Sequence, residues 1–162
     1  MNLKIGTLIA AVLLTASTAG AMPITLTFDS SLLFGQPGTT VTFVGTVTDV
    51  GNTPTFLNAD NFVVAPPLVA DDTPFFNNFP AILLPLQSVR APILNVGIPL
   101  TAPGGLYTGT LQLLGGPTPI AENILATQTF AVQVQAVPEP ITAVLVLSGG
   151  IVAALRRKEH ST

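Results

Sequence analysis

The sequence predicts an all-β domain between two apolar chain ends, and three observations support this. Apolar and polar residues alternate with a period of two in several stretches between residues 22 and 136, which is the pattern of half-buried strands. Clusters of proline and glycine separate these stretches, and none of them carries a 3.6-residue apolar period long enough to predict a helix. The chain has no cysteine, so its core is expected to depend on packing rather than on disulfides.

The first 21 residues have the composition of a secretory signal peptide. Lys4 supplies a short basic segment, and residues 5–16 form an apolar segment. Ala19 and Ala21 are the small residues expected before a cleavage site, so we expect signal peptidase to cut before Met22. The alternative is an uncleaved membrane anchor.

Residues 22–136 are predicted to be one domain, long enough to bury an ordinary hydrophobic core. The most regular alternation predicts strands at residues 24–28, 40–50, 105–113 and 129–136. Shorter strands are predicted at residues 55–57, 62–64, 82–84 and 93–96. The predicted buried positions are Val41, Phe43, Val47, Tyr107, Gly109, Leu111, Leu113, Phe130, Val132, Val134 and Ala136.

About seven short strands in some 115 residues, with glycine and proline turns, favour an antiparallel β-sandwich of the immunoglobulin-like type. Two segments, residues 37–52 and 103–110, resemble bacterial surface immunoglobulin-like modules. In such modules a tyrosine after a Pro-Gly turn often hydrogen-bonds back to the backbone at a strand corner. The resemblance therefore implies this structural role for Tyr107, the only tyrosine of the chain.

Residues 65–81 form the irregular part of the domain, because their prolines are incompatible with a central strand. Three aromatic residues, Phe75, Phe76 and Phe79, lie within it. They could be exposed and stack on sugar rings, or they could close one end of the sandwich as part of a long connection. The second interpretation is favoured, because phenylalanine lacks the polar group that tyrosine and tryptophan bring to wet sites.

The charges of the domain exclude one class of partner. Residues 22–136 carry six carboxylates and one guanidinium, that of Arg90, for a net charge of −5. No lysine lies there, so a basic patch is absent and we expect no nucleic-acid partner.

Groups for catalysis or metal binding are few. His160, the only histidine, follows the basic end of the chain, and without an exported cysteine, histidine or lysine neither a nucleophile triad nor a zinc site can be assembled. The adjacent Asp71 and Asp72 are expected to be solvated. Together with Asp49 and Asp60 they could bind calcium only by converging at one end of the sandwich. We therefore predict no enzyme activity, no metal and no cofactor.

Three signals follow one another at the end of the chain. They are the motif Val137, Pro138, Glu139 and Pro140, the uncharged apolar residues 141–155, and the basic cluster Arg156, Arg157 and Lys158. As a helix the apolar stretch would span roughly 22 Å of a hydrocarbon core about 30 Å thick. It is predicted to cross with help from snorkelling basic side chains, which would stay on the cytoplasmic side. The alternative is a C-terminal core helix of a soluble protein.

This tail resembles the PEP-CTERM sorting signal of exported proteins from Gram-negative bacteria that make extracellular polysaccharide. The resemblance covers about 25 residues, 137–162, and depends on the three signals in this order. It implies recognition by exosortase, an integral-membrane transpeptidase-like enzyme, with processing near Pro138 to Pro140. It also implies a precursor anchored in membrane lipid of the inner membrane with a periplasmic domain, followed by delivery to the cell surface or matrix.

The expected function is therefore that of an exported, non-enzymatic surface or extracellular-matrix protein associated with extracellular polysaccharide. The alternative is a carbohydrate- or calcium-binding adhesion module that uses residues 65–81. An extracellular hydrolase is a third possibility, which the scarcity of catalytic groups disfavours.

Overall fold

Nine β-strands and one short helix make up the part of the chain that the computed structural model describes, residues 23–136. In chain order they are β1 (Ile24–Phe28), β2 (Leu32–Gly35), β3 (Thr40–Asp49), β4 (Thr55–Val64), β5 (Val69–Asp71), α1 (Thr73–Asn78), β6 (Ile82–Leu83), β7 (Ser88–Gly97), β8 (Gly105–Gly116) and β9 (Asn123–Val134). The predicted all-β class is confirmed.

The strands form two sheets. A four-stranded sheet has the order β1-β3-β7-β5 and is antiparallel, and a five-stranded sheet has the order β2-β9-β8-β4-β6. In the second sheet β2 pairs with β9 in parallel, which departs from the antiparallel arrangement that was predicted. The departure arises because the chain leaves the first sheet after β1 and joins the edge of the second sheet beside the last strand.

The inner faces of the two sheets pack around one hydrophobic core. The rings of Phe43 and Phe130, one from each sheet, lie with centroids 4.8 Å apart, and Phe28 contacts them at 5.3 and 6.1 Å. Such tilted and edge-on aromatic pairs stabilise a core beyond the area that they bury. The predicted alternation is confirmed in the three longest predicted strands, where the fully buried positions include Phe43, Val47, Leu111, Leu113, Phe130, Val132 and Val134.

Several strands are longer than the sequence indicated. β4 is one strand where two were predicted. The sequence suggested two because a bulge between Leu57 and Ala59 shifts the register and interrupts the period of two. β7 starts at Ser88 rather than at residue 93, and β9 starts at Asn123 rather than at residue 129. Ala136 was predicted to be buried, and this is wrong, because β9 ends at Val134 and Ala136 is exposed.

The predicted irregular stretch, residues 65–81, contains two elements that the sequence did not reveal, β5 and α1. Pro74 lies in the first turn of α1, where its missing N–H costs nothing. Phe75 and Phe79 are buried in the core, whereas Phe76 is 55% exposed. The interpretation of this stretch as a connection that closes the sandwich is therefore confirmed for two of its three phenylalanines.

The predicted signal peptide, with Ala19 and Ala21, and the predicted sorting tail lie outside the described residues. The tail includes Val137, Pro138, Glu139, Pro140, Arg156, Arg157 and Lys158. Within residues 23–136, no helix has the length and apolar character needed to cross a membrane.

Candidate functional site

A shallow groove of about 520 Å3 runs over the outer face of the five-stranded sheet. Its floor is made of small side chains from the two central strands, with Thr108 of β8 opposite Ala131 of β9 and Thr110 opposite Thr129. Its walls are the larger side chains of the flanking positions, Leu32, Val63 and Leu106. The groove forms because the outward positions at the centre of β8 and β9 hold only threonine and alanine, whereas larger side chains stand around them.

The lining of the groove combines hydroxyl groups with apolar surface and carries no ionisable side chain. The wall residues are open to solvent, with Val63 67% and Leu106 60% exposed. Phe34, two residues beyond Leu32 on the same face of β2, is 61% exposed. A surface of this kind suits an uncharged ligand that has both hydroxyl groups and apolar faces, such as a neutral sugar chain.

The outer face of the four-stranded sheet has a different character. Its hydroxyl and amide side chains bond to one another, with Thr48 Oγ1 and Ser88 Oγ 2.8 Å apart and Thr42 Oγ1 donating to Asn95 Oδ1 at 2.7 Å. Arg90 at one side forms an ion pair with Asp29, and its Nε donates to Asp29 Oδ1 at 3.2 Å. The polar side chains of this face thus hydrogen-bond mainly to one another, which is typical of a solvated surface.

Two of the four candidate calcium-binding acids lie near each other in the structure. Burial raises the pKa of Asp60 from 3.8 to about 7, and the negative charge of the nearby Asp72 adds to the rise. Both carboxyl oxygens of Asp60 are shielded from solvent and have no hydrogen-bond partner among the described residues.

The other two acids are engaged elsewhere. The hydroxyl and the N–H of Thr73 donate to Asp71 Oδ1 at 2.5 and 3.1 Å and hold the pKa of Asp71 below its ordinary value. Asp49 is fully buried, and its Oδ1 accepts a hydrogen bond from the N–H of Gly51 at 2.7 Å. Asp49 is also far from Asp71. Thr42 and Asp71 both lie opposite Asn95, and Asp49 is about 23 Å further along β3 than Thr42, at roughly 3.3 Å per residue. No cluster of three or more potential metal ligands occurs among residues 23–136.

Tyr107 has the structural role that was predicted. Its Oη donates to the backbone oxygen of Pro103 at 2.9 Å, four residues back across the turn that precedes β8. The side chain is thereby committed to the corner of the strand rather than to a ligand.

Sequence reasoning missed the groove and the inward position of Asp60, which it named only among four acids that could converge on calcium. The outward threonines of β8 and β9 were recognised as polar positions, but the depth between them depends on which strands become neighbours. The sequence did contain a local indication that Asp60 points inward, since this residue lies in a strand between the apolar Leu57 and Phe62. The interrupted period of β4 concealed that orientation.

No protein-family model matches the chain, and no curated protein matches it. Among solved structures, a fragment of alpha-2-macroglobulin from Escherichia coli is 17% identical with a TM-score of 0.49 over 72% of this chain and 17% of that one. The secreted serine protease VesC from Vibrio cholerae is 15% identical with a TM-score of 0.44, over 75% of this chain and 25% of that one. The PapD-like domain 7 of human CEP192 is 12% identical with a TM-score of 0.42, over 85% and 98%. The chain thus spans a quarter or less of the first two proteins, and these similarities give no information about function.

Proposed function

We propose that the protein is an exported, non-enzymatic component of the cell surface or extracellular matrix, delivered through a C-terminal sorting segment. The observation that carries this proposal is the order of signals after the folded domain. β9 ends at Val134, and three residues later the motif Val137 to Pro140 begins, followed by the apolar residues 141–155 and the basic cluster 156–158. Exosortase and signal peptidase are the proposed processing enzymes, and membrane lipid is the site of transient anchoring.

The sheet topology supports an immunoglobulin-like sandwich as the delivered domain. In that fold core strands A, B, E and D form one sheet and C, F and G form the other. Here β1-β3-β7-β5 has the first order, and β4, β8 and β9 have the second, with β2 continuing strand A into the other sheet. The two-residue β6 is an additional strand. Such a domain serves as a spacer or as a structural unit among extracellular polysaccharides.

The residues of the domain support a non-enzymatic role. Residues 23–136 contain no histidine, cysteine or lysine. Both carboxyl oxygens of Asp60, the acid with the raised pKa, are shielded from solvent, so a substrate could not reach them.

Two tail variants of the full-length protein test the proposal. Neutral replacement of Arg156, Arg157 and Lys158 removes charges that resist crossing hydrocarbon, so the protein should be released into the periplasm. Replacement of Pro138, Glu139 and Pro140 by alanine leaves the anchor in place, so a longer, membrane-retained form should accumulate. Cell fractionation and intact mass distinguish these outcomes.

The matched control replaces Pro117 and Glu122, which lie in an exposed loop of the domain, by alanine and glutamine. This variant should be processed as the parent is. If the triple-alanine variant is also processed and delivered normally, the motif is only a spacer and the assignment of the tail is wrong.

A second function is favoured by the groove, namely binding of a neutral carbohydrate. Thr108 and Thr110 provide two hydroxyl groups on its floor, and each hydrogen bond contributes about 0.5–1.5 kcal/mol. The double variant Thr108→Val and Thr110→Val loses two such bonds and should therefore weaken binding at least about fivefold. The control is Thr46→Val on the outer face of the other sheet.

A glycan array read with and without calcium is the measurement for this second function. Binding to uncharged glycans that is independent of calcium and lost in the double variant is the expected result. Absence of binding, calcium-dependent binding, or equal loss in Thr46→Val would each contradict it.

A further inference from the structure

One end of the sandwich, which we call the exit end, consists of the loops 36–39 and 98–104 together with Gln135 and Ala136. Backbone hydrogen bonds hold the two loops side by side, from the N–H of Gly38 to the oxygen of Ile98 and from the N–H of Ile98 to the oxygen of Thr39, both at 2.8 Å. The chain leaves the domain beside them, where Gly104 lies so close to Ala136 that a side chain at residue 104 would not fit. The residues after 136 therefore start from this end.

The exit end carries no ionisable side chain, and neither does the loop that crosses between the sheets beside it, residues 65–68. The acids of residues 23–136 lie further along the strands. Asp49 is about 30 Å from the start of β3, and Glu122 precedes the twelve-residue β9, about 36 Å from its end. Asp71 comes nearest, two residues from the end of β5 in the four-stranded sheet. In a domain with a net charge of −5, the exit end is therefore the part that approaches an apolar or anionic surface at the least cost.

The exit end presents an exposed leucine in a tight turn. The turn is closed by a hydrogen bond from the N–H of Ala102 to the oxygen of Pro99 at 3.0 Å, and Leu100 is its second residue. Such positions usually hold glycine, proline, asparagine, aspartate or serine. Leu100 is 82% exposed, and its methyl groups rest over Gly38 rather than in the core. Packing of the core therefore does not account for a leucine at this position.

Two further apolar side chains stand on the rim next to the exit end. Phe34 of β2 and Leu106 of β8 lie on either side of Gln133 of β9, in one row across the outer face of the five-stranded sheet. They are 61% and 60% exposed. This row is the last but one of the sheet at this end. The rim thus extends the apolar surface that Leu100 begins.

The place where the chain leaves the domain decides what this surface can meet in the anchored protein. Leu100 and Ala136 line one hollow of about 450 Å3, so the exposed leucine lies beside the chain exit. From Ala136 the residues 137–141 reach at most about 18 Å, and residue 141 is the first of the apolar stretch. The headgroup layer of a bilayer is about 5–7.5 Å thick. With the apolar stretch in the bilayer, the exit end is the part of the domain held nearest to the headgroups.

We propose that the exit end and its rim form a membrane-contact surface, on which Leu100, Leu106 and Phe34 insert among the lipid headgroups while the protein is anchored. This inference rests on the anchoring tail of the proposed function and adds that the folded domain takes part in the contact. Because the tail tethers the domain, the contact is intramolecular, and a small apolar area is sufficient. The contact orients the domain and holds residues 137–140 at the level of the headgroups.

A bilayer fits this surface better than a second copy of the chain does. Specific protein interfaces bury roughly 800 Å2 on each partner, which three side chains and one turn do not supply. A lipid surface needs no complementary shape, and its binding grows with the apolar area inserted. The absence of carboxylates at the exit end also avoids repulsion by anionic headgroups.

Tryptophan fluorescence of the full-length protein tests the contact, because the chain has no tryptophan and each variant then carries a single reporter. In phosphatidylcholine vesicles, Leu100→Trp should lose most of its fluorescence when the lipid is brominated at the headgroup end of its acyl chains. The matched control is Ile120→Trp, in the loop before β9 at the opposite end, where residue 120 is 87% exposed. The control should keep its fluorescence, and equal quenching of the two variants would overturn the proposal.

A second pair of variants separates a specific contact from tethering alone. Phe34→Trp reports on the rim, and adding Leu100→Asp places a charge on the surface, so the quenching of this indole should decrease. The control adds Thr25→Asp, which makes the same change in net charge at an exposed position near the start of β1. The control should leave the quenching as it is. If Leu100→Asp also leaves it unchanged, the tether alone brings the domain to the bilayer and the proposal is wrong.

Circular dichroism checks the fold of each variant, and Leu106→Trp replaces Phe34→Trp as the rim reporter should the latter fail to fold. Flotation of the same vesicles separates this inference from the proposed function. Protein that does not float is not anchored, which contradicts the proposed tail and with it the contact. Protein that floats with every indole unquenched is anchored without docking, which overturns the contact alone. A blue-shifted but unquenched Leu100→Trp would mean that a second copy or the tail covers the surface, which overturns the assignment to lipid.

Discussion

At the residue scale, single polar side chains stabilise turns of the domain by hydrogen bonds to the backbone. Asp49 is buried to hold the turn at Gly51, and Tyr107 is tied to Pro103. The role of Tyr107 could be predicted because the residues that surround it in sequence form the turn that it closes. The burial of Asp60 could not be predicted, because its inward orientation depends on a bulge in β4.

The bond of Tyr107 has a measurable contribution to stability. Tyr107→Phe removes the hydroxyl that donates to Pro103 while keeping the ring, so the free energy of unfolding should fall by about 1 kcal/mol. Thermal unfolding of the full-length protein in mild detergent, followed by circular dichroism, measures this. The neighbouring outward substitution Thr108→Val should change stability by less than about 0.5 kcal/mol. Equal effects would mean that the corner bond contributes nothing.

The raised pKa of Asp60 determines how this residue makes the free energy of unfolding depend on pH. Its pKa is raised on folding, so its contribution is present below the unfolded value of 3.8 and is lost as the pH rises through about 7. The unfolding midpoint should therefore decrease between pH 4 and pH 7.5 by more in the wild type than in Asp60→Asn. Parallel pH profiles of the two proteins would contradict the raised pKa.

At the element scale, the strands with regular alternation were predictable, and most of the short elements were not. β1, β3, β8 and β9 each bury alternate residues, so the period of two appears in the sequence itself. β6, with two residues, lies within the strand predicted at residues 82–84. β2 and β5 were not predicted, because their four and three residues are too few to show a period, and the six-residue α1 was not predicted either. These elements exist because longer strands offer them an edge, and that information is not local.

The register of β3 and β9 makes a quantitative prediction. Phe43 and Phe130 contact each other across the two sheets, so Phe43→Ala or Phe130→Ala should cost about 3–5 kcal/mol through lost burial and a cavity. Thr42→Ala, on the outer face of β3, loses only an exposed hydrogen bond and should cost far less. Unfolding midpoints of the three variants compare these effects, and similar losses would mean that the register is wrong by one residue.

At the scale of the whole molecule, the folded domain fits between the predicted processing points. β1 starts at Ile24, and β9 ends at Val134. Cleavage after Ala21 would leave every described strand intact, and processing at Pro138 to Pro140 would do the same. The groove could not be predicted at this scale, because it needs the neighbours β2, β9, β8 and β4 to be known together.

The proposed export site leads to a direct measurement. N-terminal sequencing of the exported protein should give Met22 as the first residue, because Ala19 and Ala21 are the small residues that signal peptidase accepts. Ala21→Leu should block cleavage, whereas the control Ala16→Leu, which lies in the apolar segment, should not. A mature chain that begins at Met1 would show that the first 21 residues are an anchor.

The parallel pair of β2 and β9 has a mechanical consequence. Hydrogen bonds from the N–H groups of Ala131 and Gln135 to the oxygens of Ser31 and Gly35, at 2.7 and 2.9 Å, join the two strands. When the two ends of the domain are pulled apart, neighbouring parallel strands slide along each other, so these bonds are loaded in shear and must yield together. A hairpin pulled at its open end would instead unzip one bond at a time. The domain is therefore built to resist tension between its N-terminal side and the residues that lead into the tail.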